Sequence, residues 1–298
     1  MNEKLDMSGS FVALVTPFTE DGRVDYEALR RLVEFHVVSG TSGIVPCGTT
    51  GESPTLSVEE HSSVIKAVVA MAAGRIKVVA GTGSNNTDEA IALTRFAEDV
   101  GADGALIVCP YYNKPSQEGI YRHYKKISVD VEIPIVIYSI VGRCGVNIEP
   151  ETVANLAVLG NIVGIKEASG NIDQMSRIVE MTPDDFQLIS GDDSLTLPIM
   201  SIGGVGVISV LANVLPKEVA TLVKLYEGGN GAEARALHHR LLPLIKALFI
   251  ESNPAPVKTA MGFMKMIRPD LRLPLCEMSA ANTAKLRTVM VDAGLIRA

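Results

Sequence analysis

The sequence predicts an α/β fold, a (β/α)8 TIM barrel followed by a C-terminal helical appendage. Short apolar segments rich in β-branched residues alternate with longer segments of helical period, and this alternation occurs eight times. The short segments are apolar on both faces, which is typical of parallel strands covered by helices. Eight such units in series usually close into a barrel. An open doubly wound sheet is the alternative architecture.

Each predicted strand is a short aliphatic run. In chain order, the strands cover residues 11–16, 43–47, 76–80, 104–109, 133–138, 162–166, 186–190 and 206–210. Among the intervening segments, helical periodicity is clear over residues 26–39, 58–73 and 87–100. The last of these begins at Thr87 and carries Asp88 and Glu89 in its first turn, where acidic side chains favour a helix start.

The chain continues well beyond the eighth predicted strand. Four further helices are predicted, over residues 216–226, 232–249, 256–266 and 279–293. No Ser/Gly-rich linker separates them from the strands, so we expect them to pack on the barrel or on another subunit. We therefore divide the chain into a catalytic barrel domain, residues 1–225, and a C-terminal helical domain, residues 226–298.

The charge and hydropathy patterns exclude two broad classes of function. The 298 residues carry 34 acidic and 27 basic side chains, a net charge of -7, and no basic block. Contact with a row of nucleic-acid phosphates requires such a block, so nucleic-acid binding is not expected. The first ten residues contain no apolar core of a secretory signal, and no apolar run approaches the ~18 residues of a membrane span. A cytoplasmic protein without membrane contacts is expected.

Cysteine and histidine usage predicts neither a disulfide framework nor a metal site. The five histidines form no H-x-x-x-H pair, and His238 and His239 are adjacent, so they would project about 100° apart on a helix. The four cysteines form no C-x-x-C pair and are expected to be reduced and mostly buried; they are Cys47, Cys109, Cys144 and Cys276.

Candidate functional residues are sought at the C-terminal ends of the strands, because active sites of (β/α)8 barrels lie on that face. The second strand is followed by Gly48-Thr49-Thr50-Gly51-Glu52, a turn rich in hydroxyl and backbone N–H groups. Such a turn could hold a carboxylate or a phosphate. A plain glycine-rich turn between strand and helix is the alternative interpretation.

Lys166 lies at the end of the sixth strand. Because side chains alternate along a strand, Gly164 and Lys166 share one face, while Val163 and Ile165 share the other. If the latter pair meets the helices, Lys166 points into the barrel. Burial lowers the pKa of a lysine from about 10.4 and favours the neutral, nucleophilic amine. The alternative is a surface ion pair with Glu167, although that residue should face the opposite side.

Tyr138 ends the fifth strand, which neighbours the sixth in a sequentially wound barrel at about 4.8 Å spacing. Its phenol can then reach Lys166 and carry protons during carbinolamine formation and dehydration. A packing role, with the hydroxyl bonded to backbone, is the alternative. Arg143 follows in the next loop, where a guanidinium could bind a substrate carboxylate or simply be solvated.

Two other strand ends carry polar or aromatic motifs. The fourth strand is followed by Tyr111 and Tyr112 between two prolines, a rigid loop suited to a site or a subunit contact. Asp192 and Asp193 follow the seventh strand, and a glycine-rich segment precedes the eighth; together they could form a phosphate or Mg²⁺ site. Alternatively, Asp192 caps the following helix.

The motifs at the strand ends resemble those of a known family, the dihydrodipicolinate synthases (4-hydroxy-tetrahydrodipicolinate synthases) of the N-acetylneuraminate lyase superfamily. The resemblance extends over the whole chain and covers nearly every strand end. The matching segments are Gly48-Thr49-Thr50-Gly51-Glu52, Tyr111-Tyr112-Asn113-Lys114-Pro115, Gly164-Ile165-Lys166-Glu167-Ala168, Ser190-Gly191-Asp192-Asp193, Val207-Ile208-Ser209-Val210 and Glu251-Ser252-Asn253-Pro254-Ala255-Pro256-Val257-Lys258.

The resemblance implies a class I aldolase reaction that joins pyruvate to L-aspartate 4-semialdehyde in lysine and diaminopimelate biosynthesis. It implies that Lys166 forms an imine with pyruvate and needs no metal or organic cofactor, because the protonated imine is itself the electron sink. It also implies that Thr49, Tyr138 and Tyr112, the last lent by a neighbouring subunit, form a proton relay. A homodimer or a homotetramer, arranged as a dimer of dimers, is therefore expected.

The resemblance further implies roles in substrate binding. Thr49 and Thr50 would hold the pyruvate carboxylate, Arg143 would bind the carboxylate of aspartate semialdehyde, and the backbones of Gly191 and Ile208 would line the pocket. One segment departs from the family pattern: residues 138–145 read Tyr-Ser-Ile-Val-Gly-Arg-Cys-Gly, where the synthases usually carry Tyr-Asn-Val-Pro-x-Arg-Thr-Gly. Arg143 is retained within it.

Some members of the family are inhibited by lysine at a dimer interface, and the resemblance predicts such a site here. Pro54 and Val58 depart from the family pattern at that site. The matching residues are Ser53, His61, Asn85, Glu89 and Tyr111.

Three other functions are compatible with the sequence. A related lyase could cleave a 2-keto-3-deoxy sugar acid or N-acetylneuraminate with the same lysine, although Arg143 and the Thr49-Thr50 pair favour the synthase. A non-catalytic barrel could serve as a ligand-responsive regulator or scaffold. A metal-dependent aldolase could use Asp192 and Asp193. Retention of the lysine, tyrosine and threonine residues together favours the Schiff-base enzyme.

Overall fold

The computed structural model describes residues 5–297, and its central feature is a closed barrel of eight parallel strands. Each strand pairs with its sequence neighbours, and β8 pairs with β1. The predicted (β/α)8 barrel is therefore confirmed, and the open sheet is excluded. The strands are β1 Gly9–Ala13, β2 Gly43–Val45, β3 Lys77–Gly81, β4 Gly104–Val108, β5 Ile135–Ser139, β6 Ile162–Glu167, β7 Gln187–Ser190 and β8 Gly206–Ser209.

Helices follow the strands on the outside of the barrel. The helix predicted over residues 26–39 has those bounds, and the other predicted helices agree within a few residues. The α-helices are α1 Tyr26–Ser39, α2 Val58–Ala72, α3 Thr87–Asp99, α4 Gln117–Asp130, α5 Val141–Cys144, α6 Pro150–Ala157, α7 Ile172–Met181, α8 Thr196–Ser201, α9 Pro216–Glu227, α10 Gly231–Ala247, α11 Ala255–Phe263 and α12 Ala280–Asp292.

The first strand differs most from its prediction, because it begins and ends earlier than residues 11–16. At its end, the Asn213 side chain replaces a strand partner: its amide donates to the Ala13 carbonyl, and its oxygen accepts from the Val15 N–H. At its start, Gly9 lies against Gly206 so closely that a Cβ on Gly206 would be 2.1 Å from the Gly9 carbonyl oxygen. A glycine at this position is therefore required for barrel closure.

The barrel interior is an apolar core to which all eight strands contribute. Leu5 and Met7 close its N-terminal end, where Met7 N–H donates to the side chain of Gln187 at the start of β7. The interior residues of the strands are Phe11, Ala13, Val45, Val79, Leu106, Val136, Tyr138, Val163, Ile189 and Ile208. The opposite, C-terminal end of the barrel opens to a cavity.

The face assignment made for β6 was partly wrong. Ile165 packs among the helices as expected, but Val163 packs in the barrel interior. The cause is an irregularity in the pairing of β5 with β6: Ile135 pairs with Ile162, whereas the next residue, Val136, pairs with Gly164. The extra residue in β6 turns Val163 inward, as a β-bulge does. Beyond it the regular alternation resumes.

The C-terminal helices pack on the barrel of the same chain. One apolar cluster joins barrel residues such as Ile44 to Leu241 of α10 and Leu286 of α12. This fits the expectation that no flexible linker separates the two parts. The division into residues 1–225 and 226–298 stays a prediction, and α9 runs across it.

Two expectations drawn from composition can be compared with the structure. Cys47, Cys109 and Cys144 are buried as expected, whereas Cys276 is exposed. Within residues 5–297, no helix has both the length and the apolar character needed to cross a membrane.

Candidate active site

A cavity of about 630 Å³ opens at the C-terminal end of the barrel, among the segments that follow β2 to β5. Among the described residues that line it, Arg143 and Lys114 are cationic and none is acidic. An anionic ligand is therefore favoured in this cavity. The lining residues include Thr49, Ser53, Tyr111, Tyr112, Lys114, Tyr138, Arg143 and Cys144.

Lys166 lies below this cavity in the barrel interior. Lys166 of β6 lies opposite Tyr138 in the pairing of β5 with β6. The Lys166 Nζ is 4.1 Å from the centroid of the Tyr138 ring. Burial lowers the pKa of Lys166 to about 7; the negative charge of Asp193 opposes this shift, and the positive charge of Arg143 adds to it. A substantial fraction of neutral amine is therefore present at neutral pH.

Glu167 does not pair with Lys166. Its carboxylate is fully buried on the other face of β6, where it accepts hydrogen bonds from Ser169 and Gln174. Lys166 itself is only 5% exposed. The surface ion pair that was the alternative interpretation of Lys166 is thus excluded.

The lowered pKa of Lys166 predicts a pH dependence for imine formation. Because only the neutral amine attacks a carbonyl, we expect the initial rate of pyruvate capture to rise as the pH passes through about 7 and then to level off. The rate can be measured by cyanoborohydride trapping and mass spectrometry. A rate that continues to rise up to the ordinary lysine pKa of about 10.4 would contradict the assignment.

Tyr138 connects Lys166 with the cavity. Burial raises the pKa of its phenol to about 12, an effect that the Thr49 side chain and the Arg143 charge oppose. The phenol thus stays protonated at neutral pH and can both donate and accept a proton. The relay of Tyr138 with Thr49 and Tyr112 stays a prediction.

The turn after β2 presents its two threonines differently. Thr49 lines the cavity, whereas the Thr50 side chain is buried, and its hydroxyl accepts a hydrogen bond from the Asn253 amide at 2.9 Å. The N–H groups of Gly51 and Glu52 are bonded within the turn. Within residues 5–297, the N–H groups of Thr49 and Thr50 have no acceptor and can serve a bound anion.

Arg143 lies in the short helix α5, not in an irregular loop. The helix ends at Gly145, which has a left-handed conformation with φ of 73°. The guanidinium borders the cavity, and its Nη2 donates to the carbonyl oxygen of Asn253 at 3.0 Å. Because a guanidinium has five N–H donors, several remain for a ligand carboxylate.

The two backbone positions expected to line the pocket lie deeper than the cavity. A Cβ on Gly191 would be 3.2 Å from Cε of Lys166 and 2.7 Å from Cβ of Ala168, so glycine is needed beside the lysine. Ile208 is buried in the barrel interior with Tyr138. Gly191 therefore adjoins Lys166, and Ile208 belongs to the interior core that includes Tyr138.

Tyr112, the third residue of the predicted relay, lies at the edge of the cavity. Its side chain is 89% exposed, and its backbone has φ of 70°, a conformation unusual for a residue with a side chain. An exposed aromatic ring held in a strained loop suits contact with another molecule.

The family follows from comparison with known proteins. The sequence profile of the Dihydrodipicolinate synthetase family matches residues 6–293. This chain belongs to that family. A relative from Endomicrobium trichonymphae, named 4-hydroxy-tetrahydrodipicolinate synthase, is 55% identical, and the alignment covers 97% of this chain and 99% of the relative. The resemblance inferred from the motifs is thus confirmed.

Solved structures of the same family share the fold closely. The crystal structure of dihydrodipicolinate synthase from Aquifex aeolicus is similar with a TM-score of 0.96 and 53% identity, over 98% of this chain and 100% of that chain. The structure of the Cyanidioschyzon merolae protein with lysine bound is similar with a TM-score of 0.94 and 41% identity, over 97% and 99% of the two chains.

This member of the Dihydrodipicolinate synthetase family uses Asp192 and Asp193 for structure. Asp192 accepts hydrogen bonds from the N–H and hydroxyl of Ser194, so it caps the short 3-10 helix as the alternative interpretation proposed. Asp193 is buried and accepts from the Ser209 hydroxyl and from the Val210 and Leu211 N–H groups. Both carboxylates are thus engaged, which does not support the metal-dependent aldolase.

A second cavity of about 210 Å³ adjoins the first. Four of the five residues expected at a lysine site line it, namely Ser53, His61, Glu89 and Tyr111. The fifth, Asn85, donates from its side chain to the Tyr111 carbonyl at 3.2 Å. The sequence-predicted set is therefore brought together around one space, which Pro54 and Val58 also line.

Sequence reasoning from strand ends missed the contribution of the C-terminal segment to this family member's site. Asn253 contacts both Thr50 and Arg143, and Lys258 contacts Glu52. The available signal was the match of residues 251–258 to a family motif. That match did not indicate which strand end the segment contacts.

Proposed function

We propose that this chain catalyses the class I condensation of pyruvate with L-aspartate 4-semialdehyde to 4-hydroxy-tetrahydrodipicolinate, the activity named for its relatives. The observation that carries the proposal is the buried Lys166 amine against the Tyr138 ring, beneath a cavity lined by cations. This arrangement provides a nucleophile, a proton carrier and an anion site together. The names of the relatives favour this reaction over cleavage of a sugar acid or N-acetylneuraminate.

In the proposed first step, the neutral Lys166 amine attacks the ketone carbon of pyruvate to form a carbinolamine. Proton delivery to its hydroxyl releases water and leaves a protonated imine. The imine withdraws electrons from the adjacent methyl group, which loses a proton to give an enamine. In this mechanism the imine is the electron sink, so neither a metal nor an organic cofactor is required.

Tyr138 is proposed to exchange protons with the carbinolamine, and Thr49 to pass them on towards the cavity. The contact of the Tyr138 phenol with both Lys166 and Thr49 supports this order. Tyr112 of a neighbouring subunit would complete the relay. Its exposure on this chain supports a homo-oligomer, either a homodimer or a homotetramer arranged as a dimer of dimers.

Pyruvate is proposed to bind through its carboxylate to Thr49 and Thr50. The available N–H groups of these two residues support this role. Gly191, beside Lys166, and Ile208 are proposed to line the same pocket. Arg143 is proposed to bind the carboxylate of aspartate semialdehyde at the cavity edge. The enamine carbon would then attack the aldehyde, and the substrate amine would displace Lys166 as the product ring closes.

The Arg143→Ala variant tests the identity of the second substrate. We expect its KM for aspartate semialdehyde to rise about 10- to 100-fold, because an arginine–carboxylate hydrogen-bonded pair contributes roughly 1.5–3 kcal/mol. Steady-state assays coupled to a reductase that consumes the product give both KM values. The KM for pyruvate should change little.

Arg122→Ala is the matched control, since Arg122 is exposed on α4 and pairs with Glu118 on the same helix. A wild-type protein that captures pyruvate but leaves aspartate semialdehyde unreacted would direct attention to another aldehyde. Failure to capture pyruvate at all would instead favour the non-catalytic barrel. The first outcome would thus indicate an enzyme with a different second substrate, and the second outcome a protein that is not an enzyme.

We also propose that lysine inhibits the protein at the second cavity. Glu89 lines this cavity, and its carboxylate suits an ammonium group of lysine. The Cyanidioschyzon merolae structure contains bound lysine. The cytoplasmic location expected from the sequence remains a prediction.

Millimolar L-lysine is expected to lower the initial rate, and Glu89→Gln should weaken this inhibition about tenfold because a charge-assisted contact to the ammonium group is lost. The measurement is the lysine concentration that halves the rate, at fixed substrate concentrations. Glu118→Gln, on the exposed face of α4, is the control. Equal rates with and without lysine would contradict the proposal.

A further inference from the structure

A buried ion pair lies directly behind the turn that carries Thr49 and Thr50. Glu52, the last residue of that turn, has φ of 56° in the left-handed region. Its Oε1 lies 2.6 Å from Nζ of Lys258 in α11, and neither side chain is exposed. Lys258 also donates to the carbonyl oxygen of Thr16 at 2.9 Å.

The surroundings of the pair hold it in one geometry. The second carboxylate oxygen of Glu52 accepts from the backbone N–H of Arg272 at 3.2 Å. The Phe18 ring contacts both cations, with Lys258 Nζ 4.1 Å and the Arg272 guanidinium carbon 4.4 Å from its centroid. Removal of two charges from water is costly, and a buried ion pair often stabilises a fold no more than apolar residues would. Stability alone therefore does not explain why Glu52 and Lys258 are charged, whereas a role in fixing the geometry of the turn does.

Three consecutive residues of the turn are each held by a contact with another part of the chain, called an anchor here. Thr50 accepts from the Asn253 amide, the Gly51 carbonyl accepts from the Thr16 hydroxyl at 2.6 Å, and Glu52 meets Lys258. Two of these anchors come from the C-terminal segment, more than two hundred positions away in sequence. Thr49, which precedes them, faces the cavity. The segment thus sets the path of the backbone that presents the two free N–H groups.

We propose that Glu52 and Lys258 are positioning residues for the substrate carboxylate. The ion pair holds the turn so that Thr49 and Thr50 meet the carboxylate of pyruvate, and neither charged group touches the substrate. This inference rests on the proposed function, in which that turn binds pyruvate. It extends the functional site to α11, since small displacements of binding groups weaken productive binding.

The test compares Lys258→Met with the double variant Glu52→Gln/Lys258→Met. The methionine keeps an apolar stem against Phe18, and the double variant leaves no unpaired buried charge, so it is expected to fold even where the single variant does not. The pyruvate concentration that half-saturates borohydride trapping on Lys166 is measured below the unfolding temperature of each protein. We expect it to rise about tenfold in both variants.

Ile127→Ala provides the control for stability. Ile127 is fully buried in α4, in a different apolar cluster from the one that contains α11, so its truncation should lower the Tm without altering the half-saturating pyruvate concentration. If the double variant also melts earlier but binds pyruvate like the wild type, the pair is only structural and the inference is overturned. If the wild type does not trap pyruvate, the proposed function itself fails.

Discussion

Lys166→Ala is expected to abolish turnover, with a loss of at least about 10³-fold in kcat, because the covalent route through the imine disappears. The structure explains why no other group can substitute. Lys166 is the buried amine in contact with Tyr138, whereas Lys114, which borders the cavity, is exposed and outside the barrel. Steady-state rates and borohydride trapping with pyruvate provide two independent measurements.

Lys77→Ala is the matched control for that experiment. Lys77 begins β3 at the opposite end of the barrel, where it pairs with Asp103 at 3.2 Å and remains half exposed. Its replacement should leave both turnover and trapping unchanged. A covalent pyruvate adduct that persists in Lys166→Ala would show that another lysine is the nucleophile.

Tyr138→Phe is the second substitution with a large expected effect. Loss of the phenol should lower kcat about 10²- to 10³-fold, the range typical of a general acid–base group, because proton transfer to the carbinolamine hydroxyl is slowed. The ring remains to pack against Lys166, so the fold and the nucleophile stay in place. The decisive measurement is kcat together with the single-turnover rate of imine formation.

Tyr124→Phe removes the same atom from a buried tyrosine of α4 and serves as the control. The Tyr124 hydroxyl donates to the Ile107 carbonyl at 2.9 Å and does not border the cavity. Its loss should lower the free energy of unfolding by about 1 kcal/mol while kcat stays the same. Similar rates for Tyr138→Phe and Tyr124→Phe would exclude Tyr138 from proton transfer.

The sequence alone determined the architecture and the centre of the site. Alternation of apolar strands with helical segments specified eight sequential βα units, because these periods are local properties of the chain. Neighbouring strand ends then implied that Lys166 and Tyr138 meet, which the strand register confirms. The motif resemblance supplied the family and the wider set of residues.

Other features depended on tertiary structure. The bulge that turns Val163 inward has no periodic signature, since it arises from how β5 and β6 pair. The support of the turn by Asn253 and Lys258 is equally invisible in the local sequence, because packing of α11 on the barrel brings together residues more than two hundred positions apart. Local periodicity therefore determined which elements form, whereas packing between distant elements decided how the functional groups are held.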